Sequence, residues 1–311
     1  MKVVFMGTPD FAVPSLKYLI DSPLNLLCVI TQPDRMRGRG RKTTPTPVKK
    51  VAIDAGIKTI QPEKVNDGKV MKVIKSMSPD IIVVAAYGQI LSEELLGIPN
   101  IGCINVHASL LPKYRGAAPI HWAIINGEKE TGITTMLMDK GMDTGDILLQ
   151  EKLEITDNDT AGSLHDKLSE MGARVLRKTI DEIKQGKFAP IKQDDTKATY
   201  APMLKKEDGL IKWTKDVEDI YNLVRGTNPW PGTFAFLGNN RLIIHKAEIY
   251  NKNKQNTKPG TITGLEKDEG IIVSCKNGEI LLKSVQPSGK RVMSGWDYVL
   301  GYPIDIGESF C

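Results

Sequence analysis

Three observations predict an α/β protein whose amino-terminal part carries a mainly parallel sheet and whose carboxyl-terminal third is a small all-β domain. The first is alternation. Short apolar runs alternate with amphipathic stretches through the first half and beyond, the pattern of βαβ units. The second is Ile81 to Ala86, an unbroken aliphatic run of the kind buried on both faces of a parallel sheet, which belongs at its centre. The third is a change of period beyond Lys206, where about five short strands separated by Gly and Asn turns suggest a small barrel. The expected fold is therefore α/β, a Rossmann-like mainly parallel sheet domain followed by a small OB-like β-barrel domain. A length of 311 residues, more than one hydrophobic core usually serves, fits two domains.

Taken in order, Lys2 to Gly7 reads as the first strand, Phe11 to Ile20 as a helix, Leu24 to Thr31 as a second strand and Thr46 to Ala55 as a second helix. A short strand near Lys58 to Ile60 and a Lys-rich amphipathic helix through Lys75 lead to the central run. Cys103 to Val106 follows as another central strand, with later strands at Ile133 to Asp139 and Ile147 to Ile155. Thr160 to Gln185 reads as a long helix with Thr160 as its N-cap. From Gly186 to Lys206 the chain turns polar, with Pro190 and Pro202, as in segments that cross between domains. The expected division is residues 1–189, a linker at 190–206, and 207–311. Within the last part, a helix from Lys215 to Arg225 precedes strands at Thr233 to Leu237, Arg241 to Tyr250, Gly260 to Thr263, Ile271 to Ser274 and Glu279 to Val285.

Bulk properties narrow the function classes. An apolar fraction of 41% beside 25% charged residues excludes a disordered chain. Cys28, Cys103, Cys275 and Cys311 are scattered singly, which points to a reducing, cytoplasmic setting and away from a disulfide framework or a zinc site. His107, His121, His165 and His245 offer no ligand spacing, and no metal is expected. The start, MKVVFMGTPDFAVP, reads as a first strand rather than a signal peptide, and no apolar run reaches the roughly 20 residues that span a bilayer. The net charge of +5 is concentrated: Arg35, Arg37, Arg39, Arg41 and Lys42 account for all of it. By contrast, Lys206 to Cys311 holds 14 basic and 13 acidic residues and is no bulk polycation.

The most informative stretch is INVHASLLPKYRGAAP, from Ile104 to Pro119, which leaves a predicted strand and enters a loop. Ligands of open α/β sheets bind at the carboxyl ends of strands. Alternation puts residues two apart on one side, so Asn105 and His107 point the same way and can converge on one substrate atom. A second loop, MDKGMDTGDI, brings Asp139, Asp143 and Asp146 after another strand. An acid beside a histidine orients the imidazole and favours its charged form. Each piece alone also has a structural reading: Asn105 as a turn former, Asp143 as a turn acid beside Thr144 and Gly145. Their combination is what points to chemistry.

With those residues in hand, the chain resembles the folate-dependent formyltransferases. The resemblance lies in Asn105, His107 and Ser109-Leu110-Leu111-Pro112, with Asp143 matching the family's partner acid. It continues through Tyr114-Arg115-Gly116-Ala117-Ala118-Pro119-Ile120, begins earlier at Met6-Gly7-Thr8-Pro9-Asp10-Phe11-Ala12, and covers most of the first 190 residues. It implies 10-formyltetrahydrofolate as donor, Asn105, His107 and Asp143 as the catalytic trio, and Ser109, Leu110, Leu111 and Pro112 on the folate. Tyr87, Gly88, Gln89 and Ile90, just past the central strand, are the expected part of the pteridine wall. In the expected chemistry an amine attacks the formyl carbon and Asn105 and a protonated His107 donate to the oxyanion. Asp143 orients His107 or accepts the amine's proton.

The acceptor amine is argued from charge and layout. RMRGRGRK follows the second strand at the same carboxyl edge as the catalytic strands, and its Gly–Arg alternation makes a flexible arm suited to phosphates. A small C-terminal barrel adds a second nucleic-acid surface. Arg35, Arg37, Arg39, Arg41 and Lys42 are thus the expected RNA contacts, although a solvated surface loop is the bland reading of any charge run. Family members acting on a small purine precursor resemble only the first domain, and those acting on a nucleotide sugar lack the arginine-rich loop. The tRNA-directed members resemble the whole chain, including Asn228-Pro229-Trp230-Pro231-Gly232-Thr233-Phe234. The resemblance therefore implies methionyl-initiator tRNA as acceptor and a monomer. Competing expectations are a formyltransferase acting on a nucleotide-sugar amine, a noncatalytic RNA-binding protein, and a dinucleotide-dependent oxidoreductase. The last is opposed by Gly7-Thr8-Pro9-Asp10, one glycine where the dinucleotide fingerprint needs three.

Overall fold

The βαβ alternation is realised in a computed structural model, which describes residues 1–37, 42–253 and 257–311. The first elements are β1 (Lys2–Gly7), α1 (Val13–Asp21), β2 (Asn25–Ile30), β3 (Arg35–Arg37), β4 (Lys42–Thr44) and α2 (Pro47–Asp54). Next come β5 (Thr59–Ile60), α3 (Gly68–Met77), β6 (Ile81–Ala85), α4 (Glu93–Leu96) and β7 (Gly102–His107). They are followed by α5 (Pro119–Ile125), β8 (Glu130–Leu137), β9 (Ile147–Glu154) and α6 (Ala161–Lys184). The chain divides into two compact units, the first made of Met1–Pro119, Glu130–Glu154 and His165–Ala201 and the second of Ile120–Lys129, Ile155–Leu164 and Pro202–Cys311.

In the first unit the sheet order is β5-β2-β1-β6-β7-β8-β9. The neighbours from β5 to β7 pair in parallel, and β8 runs antiparallel to both β7 and β9. All five residues of β6 are buried, as its unbroken aliphatic sequence requires of a central strand. Alternate residues of four strands, Val4 and Met6, Cys28 and Ile30, Ile82 and Val84, and Cys103, join Ile74 of α3 and Leu95 of α4 in one core cluster. On β7 that places Cys103 on this face and Val106 on the other, where a Cβ added to Gly172 of α6 would come 3.1 Å from Val106 Cγ1.

Helix starts follow their capping chemistry. Thr46 accepts the Lys49 N–H at the head of α2 with Pro47 in the first turn, Asp67 caps α3, and Ser92 caps α4. Some boundaries differ from expectation. The helix expected from Phe11 opens as a 3-10 turn over Asp10–Ala12 and becomes α-helical at Val13, one residue ahead of Pro14. The β3–β4 hairpin, α4 and α5 are further elements, too short to carry a periodic pattern.

The second unit adds α7 (Val217–Gly226), β10 (Thr233–Leu237), β11 (Asn240–Lys252), β12 (Ile262–Glu266), β13 (Gly270–Ser274), β14 (Gly278–Pro287), β15 (Met293–Ser294) and α8 (Gly295–Gly301). Its antiparallel sheet has the order β10-β11-β14-β13-β12, with β15 on β14. Three register shifts along β11 and β14 bend the ribbon, since each extra residue kinks its strand and increases the twist. The result is barrel-like, not closed by any direct pairing of β10 with β12 among the described residues; the carboxyl-terminal residues bond to both strands, Cys311 N to Phe236 O at 2.8 Å and Ile262 N to Glu308 O at 2.8 Å. Val217, Ile220 and Val224 of α7 plug its core against Leu242, Ile244, Ile271, Val273 and Leu282. The strand expected from Gly260 begins two residues later, because Gly260 sits at φ 89, a left-handed conformation that belongs to a turn. No helix among the described residues is long and apolar enough to cross a membrane.

Candidate active site

Strand alternation puts Asn105 and His107 on the same face of β7, and Asp143 meets both. Asn105 Nδ2 donates to Asp143 Oδ1 at 3.4 Å, and His107 Nδ1 lies 3.7 Å from Asp143 Oδ2. His107 is 6% exposed and the Asp143 side chain 15%, so both lie largely out of water, where electrostatic interactions are stronger.

The direction of β8 explains how Asp143 arrives. Because β8 is antiparallel to β7, with Leu137 opposite Ile104 and Met138 N bonded to Cys103 O at 2.8 Å, the 138–146 loop leaves beside the amino-terminal half of β7 rather than at its carboxyl end. The loop must fold back along the strand to bring Asp143 to Asn105 and His107. It is tightly built to do so. Leu137 N donates to Asp146 O at 2.8 Å, and Asp139 Oδ1 accepts from Gly141 N at 3.0 Å and Thr144 Oγ1 at 2.6 Å. A Cβ on Gly145 would lie 1.7 Å from Leu137 O, so only glycine fits there. Asp143 itself sits at φ 55, a conformation that non-glycine residues adopt at a cost.

Electrostatic complementarity defines the donors. Asp143 Oδ2 also accepts the Gly116 N–H at 2.8 Å, so each carboxylate oxygen faces a nitrogen donor. The Asn105 amide therefore turns its nitrogen to Asp143, and the second hydrogen on that nitrogen can meet an incoming oxygen. His107 Nε2 lies 3.0 Å from Tyr114 O, a carbonyl that only accepts, so Nε2 carries a proton. Both ring nitrogens thus face protein groups, and the imidazole can donate to a reacting oxygen only by sharing one of those protons.

The Ser109-Leu110-Leu111-Pro112 segment leaves β7 directly and is pinned by its neighbours. Ser109 Oγ donates to Lys113 O at 2.6 Å, Thr134 Oγ1 donates to Ser109 O at 2.6 Å, and Leu111 N donates to Thr134 Oγ1 at 3.1 Å. Gln150 Nε2 holds Leu111 O at 2.8 Å. The Leu111–Pro112 peptide is cis. Tyr87, Gly88, Gln89 and Ile90 leave the adjacent strand β6 at the same edge. Tyr87 turns its side chain into the core cluster, where burial pushes its phenol up, while Gly88 is exposed and Ile90 is 80% exposed. Tyr87 O accepts from Thr8 Oγ1 at 2.8 Å and from Gln32 Nε2 at 3.2 Å, stitching the turns after β1, β2 and β6 together.

The basic segment begins in the β3–β4 hairpin, where Arg35 pairs with Thr44 and Arg37 with Lys42. Arg39 and Arg41 lie outside the described residues, and Arg35 is exposed, 3.7 Å from Glu63. The hairpin is anchored at its base: Asp34 takes hydrogen bonds from Lys49 and Gln61, which hold its carboxyl below the usual carboxylate range. Sequence reasoning gave no role to Arg115 and read Gln193 as part of a crossing segment. The structure weaves residues 190–201 into the first unit, with Ile191 bridged to Ile147 and Tyr200 to Arg115. An arginine followed by glycine in the loop after β7 was the available signal for the first; nothing local marked the second.

A primary amide, an imidazole and a carboxylate around one point on a Rossmann-like sheet offer the donors and the acceptor that group transfer at a carbonyl can use. The chain belongs to the formyl transferase family: the family's formyl transferase model matches residues 1–180, and its C-terminal domain model matches residues 203–303. The enzyme called methionyl-tRNA formyltransferase in Ruminiclostridium cellulolyticum is 49% identical over 309 residues, covering 99% of both chains. Its namesake in Caldanaerobacter subterraneus subsp. tengcongensis is 51% identical over 308 residues, with the same coverage. Among solved structures, an N-formyltransferase from Helicobacter canadensis, in complex with folinic acid and dTDP-3-aminofucose, superposes with a TM-score of 0.66. It is 22% identical and covers 92% of this chain and 99% of that one, a likeness that shows the fold alone.

Proposed function

We propose that this chain, acting in the cytoplasm as a monomer, transfers the formyl group of 10-formyltetrahydrofolate to the α-amino group of methionyl-initiator tRNA. The observation that carries the reading is the meeting of Asn105, His107 and Asp143, with separations of 3.4 and 3.7 Å to the carboxylate, in a chain whose relatives across 99% of its length bear that activity in their names. In this reading the amine's lone pair forms a bond to the formyl carbon and the carbonyl π pair moves to oxygen. Asn105 donates a hydrogen bond to that oxyanion through its second amide hydrogen, which stays on nitrogen. The amine's proton passes to Asp143, directly or through a water, with the facing His107 imidazole steadying the carboxylate. Collapse of the intermediate expels the folate nitrogen, which takes up a proton. An α-amino group with a pKa of about 8 is already partly neutral at physiological pH, so the site needs to orient it more than activate it.

The folate donor fits the two loops leaving β6 and β7: the Ser109–Pro112 turn is held rigid, and Gly88 with Ile90 offers an open, partly apolar wall. Arg35, Arg37, Arg39, Arg41 and Lys42 take the tRNA's phosphates. The deciding assay supplies labelled 10-formyltetrahydrofolate with methionyl-initiator tRNA, uncharged tRNA or a nucleotide-sugar amine. Label is expected in the aminoacyl-tRNA, and preferential labelling of the sugar amine would overturn the reading. Replacing Arg37, Arg39 and Arg41 with Ala is expected to leave folate binding intact and to lower the salt slope of tRNA affinity by about 2 to 3, since each lost phosphate contact removes roughly 0.7 to 0.9. An unchanged slope would remove the arm from the RNA interface.

A further inference from the structure

Asp143 stands in a strained backbone conformation on a nine-residue loop, yet both of its oxygens must be held to within a fraction of an ångström of their partners to act on a substrate. What holds it is a side chain fifty positions away. Gln193, 5% exposed, donates both amide hydrogens to main-chain carbonyls of the loop, Asp143 O at 2.8 Å and Gly145 O at 2.7 Å. Its own oxygen accepts two bonds from Arg115, from Nε at 3.1 Å and Nη2 at 2.8 Å. A guanidinium only donates and a carbonyl only accepts, so the Gln193 amide has one orientation available and no polar atom left over.

Arg115 is 2% exposed and is fixed in turn. Its Nη2 reaches Asp195 Oδ1 at 2.7 Å, its N–H donates to Thr199 O at 2.8 Å, and its carbonyl accepts from Ala201 N at 2.7 Å. The next residue, Gly116, donates to the Asp143 carboxylate itself. One short segment therefore grips Asp143 twice, at the carboxylate through Gly116 and at the main chain through Arg115 and Gln193. We propose that Gln193, oriented by the buried Arg115, is a positioning residue for formyl transfer that sets the Asp143 carboxylate against Asn105 and His107. The proposal rests on the reading of Asp143 as part of the reacting constellation.

A purely structural clamp and a positioning clamp differ in what their loss does. Loosening a scaffold lowers thermal stability and affects the rate whether or not Asp143 is present. Misplacing Asp143 lowers the rate at saturation, leaves both KM values alone, and has no effect once Asp143 has lost its function. The variant Gln193→Glu keeps size and the acceptor facing Arg115 but sets an oxygen against two carbonyl oxygens. Gln193→Asn keeps the amide and falls a methylene short, which provides a milder second probe. Each is made in the parent and in Asp143→Asn, and formyl transfer to methionyl-initiator tRNA is followed in single turnover and at steady state.

In the parent, Gln193→Glu is expected to lower kcat by about 100-fold and Gln193→Asn by about tenfold, as misplacement of roughly an ångström does. KM for folate and for tRNA should stay within about threefold. In the Asp143→Asn background the same changes should cost less than about threefold, the signature of coupled residues in a double-mutant cycle. A folded Gln193→Asn with parental kcat, or an equal loss in both backgrounds, overturns the proposal. A parental rate in Asp143→Asn alone overturns the catalytic reading itself, and the positioning role with it.

Discussion

Asn105→Ala is expected to lower kcat for formyl transfer by about 100-fold to 1,000-fold, the usual consequence of removing one oxyanion donor. The reason lies in how the amide is held. Its nitrogen faces the Asp143 carboxylate at 3.4 Å, which fixes the orientation and aims the second hydrogen away from the acid. Because Gly116 N–H still holds Asp143 Oδ2 at 2.8 Å in the variant, the carboxylate stays in place and the measurement isolates the lost donor. KM for 10-formyltetrahydrofolate should change little, since the interaction strengthens only as charge builds on the oxygen. Asn105→Asp is the companion variant: it keeps the volume, replaces the donor with an acceptor beside a second carboxylate, and should be at least as slow. Steady-state turnover with circular dichroism to check the fold decides it. Near-parental turnover in folded Asn105→Ala would remove the amide from the oxyanion role.

Asp143→Asn is expected to lower single-turnover rates by at least about 100-fold, the lower end of what a positioned acid–base group contributes. Asparagine has the same shape, yet this site cannot accept it. Oδ1 meets Asn105 Nδ2, and Oδ2 meets Gly116 N and His107 Nδ1, so every partner is a nitrogen. If the new NH2 group takes the Oδ2 position it opposes the Gly116 N–H, and if it takes the Oδ1 position the Asn105 amide must turn its oxygen inward to meet it, which redirects the donor. The charge that pairs with the imidazole is lost at the same time. Two effects therefore combine, a displaced Asn105 and an unmatched His107, and the loss should appear in kcat more than in either KM. A variant that transfers formyl at the parental rate would show that the carboxylate does no chemistry.

The local rules of the chain made much of this legible. The aliphatic run from Ile81 to Ala86 declared a central strand, and its first five residues, all buried, are that strand, with Ala86 turning out of it at φ 46. Thr160 marked a helix start because a side-chain oxygen ahead of a helical pattern is a cap whose partner lies within one turn, and Thr46, read as the first residue of its helix, is the cap of α2. The misses share a cause. At Asp10–Ala12 a proline two positions on interrupts the pattern, and at Gly260 a left-handed residue ends a turn inside an otherwise strand-like run. At α4 and α8 the elements span 4 and 7 residues, too few for a 3.6-residue period to register.

By itself the sequence settled that Asn105 and His107 face one way, because side-chain alternation along a strand has a period of two and needs no partner to enforce it. It also settled that an acid-rich loop follows a later strand. Spacing left Asp139, Asp143 and Asp146 equal and only family resemblance singled out Asp143; the tertiary structure supplies the reason that it reaches them, because that depends on β8 running antiparallel to β7 and on the loop folding back. The clamp of Gln193 on Asp143 and Gly145, set by Arg115 from 78 positions upstream, belongs to the same class. Periodicity is written into neighbouring residues, whereas contacts between distant loops follow from strand order and direction, which no window of sequence contains.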